Sequence, residues 1–212
     1  CSGSHCESWR RQGRIERFMR YSLEIPARIN ILGNPSDATE GDFATISAAI
    51  ALYAKAEITE SENLTLEQKV WQENELATIA QEAFARKSLP LTYNGTLDLV
   101  KGGINRLFLY SQEFRKKIES RGAHITTWTE VPRQSGLGGS SLFVLLTLAS
   151  LRAFYNLDTQ KHNDYVLAEL TQRVESQELG ITCGYADRYV PLFGGLAYLD
   201  YRGKLDQKPL HE

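Results

Sequence analysis

Between residues 139 and 155 apolar positions hardly alternate with polar ones. Leu142, Phe143, Val144, Leu145, Leu146, Leu148 and Leu151 fall on nearly every side of a helix. A helix apolar all round is a buried one, so this segment is expected to run through the core. Its longest apolar run, residues 142–151, is interrupted by Thr147 and Ser150 and stops at Arg152, too short for a membrane span. Elsewhere the pattern is amphipathic. Residues 66–87 are polar, with Val70, Leu76, Ile79, Ala80 and Phe84 spaced to form one apolar stripe, which predicts a helix. Residues 97–119 predict a second helix, with Leu99, Val100, Ile104, Leu107, Phe108 and Phe114 facing inward. Residues 164–179 predict another, and residues 184–193 a short one. Extended segments are expected at 21–32, broken by Pro26, at 44–59, at the β-branched run 123–131, and at 196–201. Residues 33–41, rich in Asn, Pro, Ser, Asp and Gly, read as a loop. Helices and strands that alternate irregularly, without internal repeats, indicate an α+β fold.

Composition narrows the function classes. The chain has 212 residues, 42% hydrophobic and 24% charged, enough for one sizeable core and a second small one. A net charge of −2 leaves no broad electrostatic footprint for nucleic acid, and no membrane partner is expected. Cys1, Cys6 and Cys183 form no spacing pattern, which points to a reducing, cytoplasmic setting. His124, His162 and His211 show no ligand spacing, so zinc is not expected. Met19 is the only methionine and directly precedes the first extended segment. Residues 1–18 are therefore read as a non-native or disordered leader, with residues 19–212 as the folded unit. A targeting peptide is the alternative, opposed by Glu7, Glu16 and the lack of an amphipathic stripe.

The candidate chemistry lies just ahead of the buried helix. Ser135-Gly136-Leu137-Gly138-Gly139-Ser140-Ser141 places three glycines and three serines in seven positions. A helix starting there presents unpaired backbone N–H groups and the positive end of its dipole. Glycines let that backbone approach a ligand closely. The combination is an anion cradle, most often for phosphate, and a serine at its rim can ligate Mg²⁺. The loop lacks the Lys-Ser/Thr of a P-loop and the glycine spacing of a dinucleotide site. A tight turn into a buried helix is the plainer reading of such a loop alone.

Two further segments accompany it. One is Pro26-Ala27-Arg28-Ile29-Asn30-Ile31-Leu32-Gly33-Asn34-Pro35-Ser36-Asp37 near the start. The other is Gly180-Ile181-Thr182-Cys183-Gly184-Tyr185-Ala186-Asp187-Arg188, followed by Phe193-Gly194-Gly195-Leu196. The ordered triplet resembles the GHMP kinases, and its wording is most similar to glucuronokinase-like sugar kinases, over roughly residues 21–201. The resemblance implies the amino-terminal domain of that family, a ribosomal protein S5 domain 2-like fold. The family's carboxy-terminal domain is missing from the sequence, so an exposed apolar face is expected.

The resemblance also implies ATP and Mg²⁺ as cofactors and a small sugar as substrate, most simply a uronic acid phosphorylated at its anomeric hydroxyl. Gly136, Leu137, Gly138, Gly139, Ser140 and Ser141 become the ATP-phosphate loop. Ser140 and Glu175 become the metal ligands, although Glu178, one helical turn later, competes with Glu175, and Ser140 could instead cap the helix. Asp187 becomes the residue that accepts or orients the sugar hydroxyl proton, with Arg28 as the nearby cation. Arg188 reads more plainly as a structural ion-pair partner. Asp37 and Asn34 fall at sugar-binding positions, although Asp37 could simply form a turn. Arg133 could pair with a sugar carboxylate or with phosphate. Asn34-Pro35-Ser36 differs from the galactokinase wording and argues against galactose. Cys183 reads as a packing residue. A kinase for a heptose phosphate or fucose, and a non-catalytic sugar-binding homologue, remain as alternatives; oligomeric state is open.

Overall fold

The computed structural model describes residues 19–33 and 44–200. Among the described residues six strands form one sheet with helices packed against it. The strands are β1 (Arg20–Leu32), β2 (Ala44–Ser61), β3 (Leu64–Gln72), β4 (Glu75–Phe84), β5 (Gly122–Thr129) and β6 (Leu196–Asp200). Their order is β1-β2-β5-β3-β4, and β6 pairs with the first part of β2. All pairings are antiparallel except β3 with β5. A parallel pair needs a crossover, and the crossover here contains β4, α1 (Asp98–Tyr110) and α2 (Gln112–Ser120).

Helix α3 (Gly139–Phe154) occupies the position its composition requires. It packs on β1, β2 and α1, and its residues from Ser141 to Leu151 are buried throughout. The alanines of β2 have a use there. Ala54 and Ala56 are fully buried beside Ile58, and their small side chains let a Leu-rich helix lie close to the sheet.

The expected helix over 66–87 is instead the β3–β4 hairpin. Gln72 pairs with Glu75 across a two-residue turn whose Glu73 and Asn74 have φ of 46° and 70°. Left-handed backbone at both central positions is the twist that a two-residue hairpin needs. The alanines and glutamates of this stretch favour a helix locally. Pairing of β3 with β5 and complete burial of Leu64 and Leu66 outweigh that preference. The long helix expected over 97–119 is broken at Ser111, which is extended and accepts a hydrogen bond from the Phe114 N–H, capping α2. Buried His162 also bonds the Ser111 hydroxyl, so this histidine is structural. The expected helix over 164–179 is α4 (Asp164–Arg173) continued by a single π turn, Val174–Glu178. Helix α5 (Tyr185–Phe193) and β6 lie where expected. Apolar side chains do stand exposed on β1 and β6, among them Ile31, Leu32, Leu196 and Tyr198.

Helix α1 and the π turn touch with almost no space between them. A Cβ added at Gly102 would lie 2.4 Å from Val174 Cγ1. Gly102→Val is therefore expected to overpack this contact. It should cost about 1–3 kcal/mol of stability, more than the gain from removing a helical glycine. Urea unfolding with an unchanged midpoint would contradict the close approach.

Candidate active site

The glycine loop ends on Gly138, which is the N-cap of α3 at φ 79°, with no side chain capping the helix. Ser140 is thus two residues inside the helix, and the capping alternative for it does not apply. The first intrahelical bond runs from Leu142 N–H to the Gly138 carbonyl. The N–H groups of Gly139, Ser140 and Ser141 precede it, where a helix offers donors to an anion.

Arg28 and Asp187 meet at this cap. One Arg28 nitrogen donates to the Gly136 carbonyl at 2.6 Å, and another donates to Asp187 Oδ1. Asp187 Oδ2 accepts from the Gly184 N–H at 3.1 Å, fixing the first turn of α5. Both members of the ion pair are largely buried, with side chains 9% and 14% exposed, so each charge depends on the other. A Cβ at Gly138 would lie 2.7 Å from Asp187 Oδ1. Strand β1 slips its register against β2 between Pro26 and Ala27, and Ala27 and Arg28 just beyond are both buried. Such irregularities commonly re-aim side chains beside sites.

Behind the loop lies Glu175, which is fully buried. Ser141 Oγ donates to its Oε2 at 2.5 Å, whereas its Oε1 has no hydrogen-bond partner. Burial raises the Glu175 carboxyl above the usual carboxylate value. The nearby polar groups of Cys183, Ser140 and Ser141 oppose that rise, and the Asp187 charge adds to it. Other buried charges among the described residues have opposite charges beside them: Arg28 has Asp187, Lys101 has Glu82, and Arg188 has Glu169. Glu175 has only neutral donors. An acidic oxygen with an open valence beside Ser140 fits a hard divalent cation.

Glu178 does not share this face. It receives Arg106 Nε at 2.6 Å and the Tyr93 hydroxyl, on the side of α1. In an α-helix residues three apart are neighbours. The wider i→i+5 turn separates them, so Glu175 and Glu178 do not compete. Arg188 is structural, as its plainer reading holds, but its partner is Glu169 at 3.2 Å, and its guanidinium lies 4.2 Å from the Tyr185 ring centre. Burial and then the Glu175 charge push the Cys183 thiol up, which leaves it an inert packing group.

Arg28, the glycine loop and Asp187 line a cleft of about 1090 Å³. Arg133 stands exposed at its edge. Asn34 and Asp37 lie outside the described residues. The opposite wall was not foreseen. It comes from the hairpin, with Lys69, Trp71 and Ile79, and from Gly95, Leu97 and Asp98. Trp71 and Ile79 are half exposed, an apolar surface facing the loop. Fully buried Lys101 ties the two parts of this wall, donating to Glu82 at 3.0 Å and to Asn94 at 2.7 Å. The signal available in sequence was the alternation Leu64-Thr65-Leu66 followed by Asn74, a turn residue.

A glycine-capped helix, a buried Arg–Asp pair at its cap and an acidic group behind it thus meet at one end of an α+β sheet. Residues 99–195 match the family described as GHMP kinases N terminal domain. It is 31% identical over 181 residues to glucuronokinase 1 of Arabidopsis thaliana, covering 82% of this chain and 47% of the relative. It is 34% identical over 108 residues to a D-glycero-alpha-D-manno-heptose 7-phosphate kinase of Campylobacter jejuni, covering 51% of this chain and 30% of the relative. A crystal structure of a D-glycero-D-manno-heptose 1-phosphate kinase from Bacteriodes thetaiotaomicron superposes with TM-score 0.68 at 26% identity, over 86% of this chain and 56% of that one. The chain thus spans about half or less of the length of these two curated relatives. Among the described residues no helix is long and apolar enough to cross a membrane.

The buried Glu175 carboxylate gives a stability signature. A carboxyl raised in the folded state contributes most below its unfolded value, and stability is lost as pH rises through the folded value. Glu175→Gln does not titrate and still accepts from Ser141. Relative to the parent, this variant should therefore gain stability progressively as pH rises above the ordinary glutamate value of 4.5. Thermal melts between acid and mildly alkaline pH measure the difference, and a gap that shrinks with pH would contradict the assignment.

Proposed function

We propose that this chain forms the phosphate-loop and catalytic half of a sugar kinase, which transfers the γ-phosphoryl group of ATP to a sugar hydroxyl. The observation that carries this reading is one cleft lined by the α3 N-terminus and the Arg28–Asp187 pair, with Glu175 buried behind the loop. In this reading the N–H groups of residues 136–141 hold the ATP phosphates. Ser140 and Glu175 would hold Mg²⁺, which when bound neutralises charge on the β- and γ-phosphates. Asp187 orients the acceptor hydroxyl and takes its proton as the new O–P bond forms. Arg28 keeps the Asp187 carboxylate in place and offers positive charge to the transferring group. Trp71, Ile79 and Leu97 give an apolar wall suited to the nucleotide base.

The acceptor best supported is a uronic acid phosphorylated at its anomeric hydroxyl. Arg133 at the edge of the cleft pairs with the sugar carboxylate, and Asn34 and Asp37 bond sugar hydroxyls. A second reading, a heptose phosphate, is favoured by the same cations, since Arg133 and Lys69 would pair equally with a phosphate. The free Cys183 thiol accords with a reducing, cytoplasmic setting.

An ADP-release screen over uronic acids, hexoses and heptose phosphates separates these acceptors, and release with none of them supports a non-catalytic homologue. Asp187→Asn is expected to lower kcat by about 10²–10⁴-fold with a smaller change in KM; a kcat close to that of the parent would make Asp187 structural. Gly138→Val should lose ATP binding by calorimetry while keeping its circular dichroism, because a side chain there meets Asp187 and forces a left-handed backbone at a cost of about 1–2 kcal/mol. Undiminished ATP affinity in that variant would remove the loop from the nucleotide site.

A further inference from the structure

Glu175 reaches the glycine loop from a π turn, and the turn is fastened on its other side. Val174 packs into the space left by Gly102, and Glu178 receives Arg106 one α1 turn further on. Arg106 Nη2 lies 2.5 Å from Glu178 Oε1, the Tyr93 hydroxyl donates to Glu178 Oε2, and Arg106 also reaches Gln177 at 3.5 Å. Both carboxylate oxygens of Glu178 are thus engaged. Arg106 and Glu178 are mostly buried, at 17% and 15% exposure, so this pair is held more firmly than a surface pair. The turn leaves Glu175 pointing the opposite way, with its carbonyl accepting from the Ile181 N–H at 2.7 Å. An i→i+5 turn is a strained insertion in a helix and tends to be kept where it aims a side chain.

We propose that Arg106, Glu178 and Tyr93 form a positioning clamp, which holds the π turn open so that the Glu175 carboxylate faces Ser140 and Ser141 and takes a divalent cation. None of the three touches the cleft. Their effect passes through the geometry of Glu175, as outer partners of metal ligands act elsewhere. This inference rests on the reading of Glu175 as a Mg²⁺ ligand.

The test uses the 212-residue chain and measures ATP affinity by calorimetry across a Mg²⁺ titration, with Mn²⁺ electron paramagnetic resonance in the presence of ATP as a second readout. Arg106→Met and Glu178→Gln are each expected to raise the half-saturating Mg²⁺ concentration by about 10–100-fold. ATP affinity without metal should stay at the parent level. The bound Mn²⁺ spectrum should broaden into more than one environment. The double variant should be no worse than either single one, because one clamp is lost in each case. Arg106→Lys, which keeps the charge but not the fork, should recover part of the effect. Glu178→Gln keeps size and the Tyr93 contact, so it reports even if Arg106→Met folds poorly. If Glu175→Gln abolishes the Mg²⁺ response while Arg106→Met and Glu178→Gln match the parent, the clamp is overturned and the metal reading survives. If Glu175→Gln also matches the parent, or the parent shows no Mg²⁺ response, the metal reading fails and the clamp with it.

Discussion

The site depends on one point at which three distant parts of the chain meet with no room for a methyl group. Gly138 ends the glycine loop, Asp187 lies in the first turn of α5, Arg28 comes from β1, and a Cβ on Gly138 would lie 2.7 Å from the aspartate oxygen. The ion pair brings the strand and α5 together, and the Arg28 bond to the Gly136 carbonyl draws the loop onto them. The loop then has little freedom left. That matters for a backbone cradle, because N–H groups bind an anion well only when their directions are set beforehand. The glycine is required twice at this position, for its left-handed φ and for its missing side chain.

What could be read in the sequence was what local chemistry decides. The all-round apolar character of α3, the glycine loop before it and the short helix carrying Asp187 needed only neighbours in the chain to be recognised. The hairpin could not be read in that way. Residues 75–84 are exposed or half-buried along an edge strand, so nothing forced their composition toward β-branched residues, and alanines and glutamates there imitate a helix. Pairing of β3 with β5, some sixty residues away, settles the matter and leaves no local trace. The relation of Glu175 to Glu178 was misleading for a similar reason. Ordinary helical spacing puts them together, whereas the π turn, packed through Val174 against Gly102, separates them.

The unforeseen hairpin is also what makes a cleft out of a loop. An anion cradle on a helix end would otherwise face open solvent. The hairpin places Trp71 and Ile79 opposite it, and the buried Lys101 locks the hairpin to residues 94–98 through Glu82 and Asn94. A buried ammonium is costly unless its donors are used. Here it donates to groups on both segments, so the wall is held by interactions that would each be lost if either segment moved.

The treatment of buried charge separates scaffold from site. Arg188 and Lys101 are fully buried and each has a carboxylate beside it, which is how a protein makes an interior charge tolerable. Each has its countercharge in place, although Arg188 Nε and Nη2 make no hydrogen bond. Glu175 is buried as deeply, yet it has a serine hydroxyl on one oxygen and no partner on the other. Replacing it with a neutral residue would relieve the fold, so its presence is not explained by stability. On the reading proposed above, a cation arriving with the nucleotide phosphates would supply the countercharge that the other described residues do not.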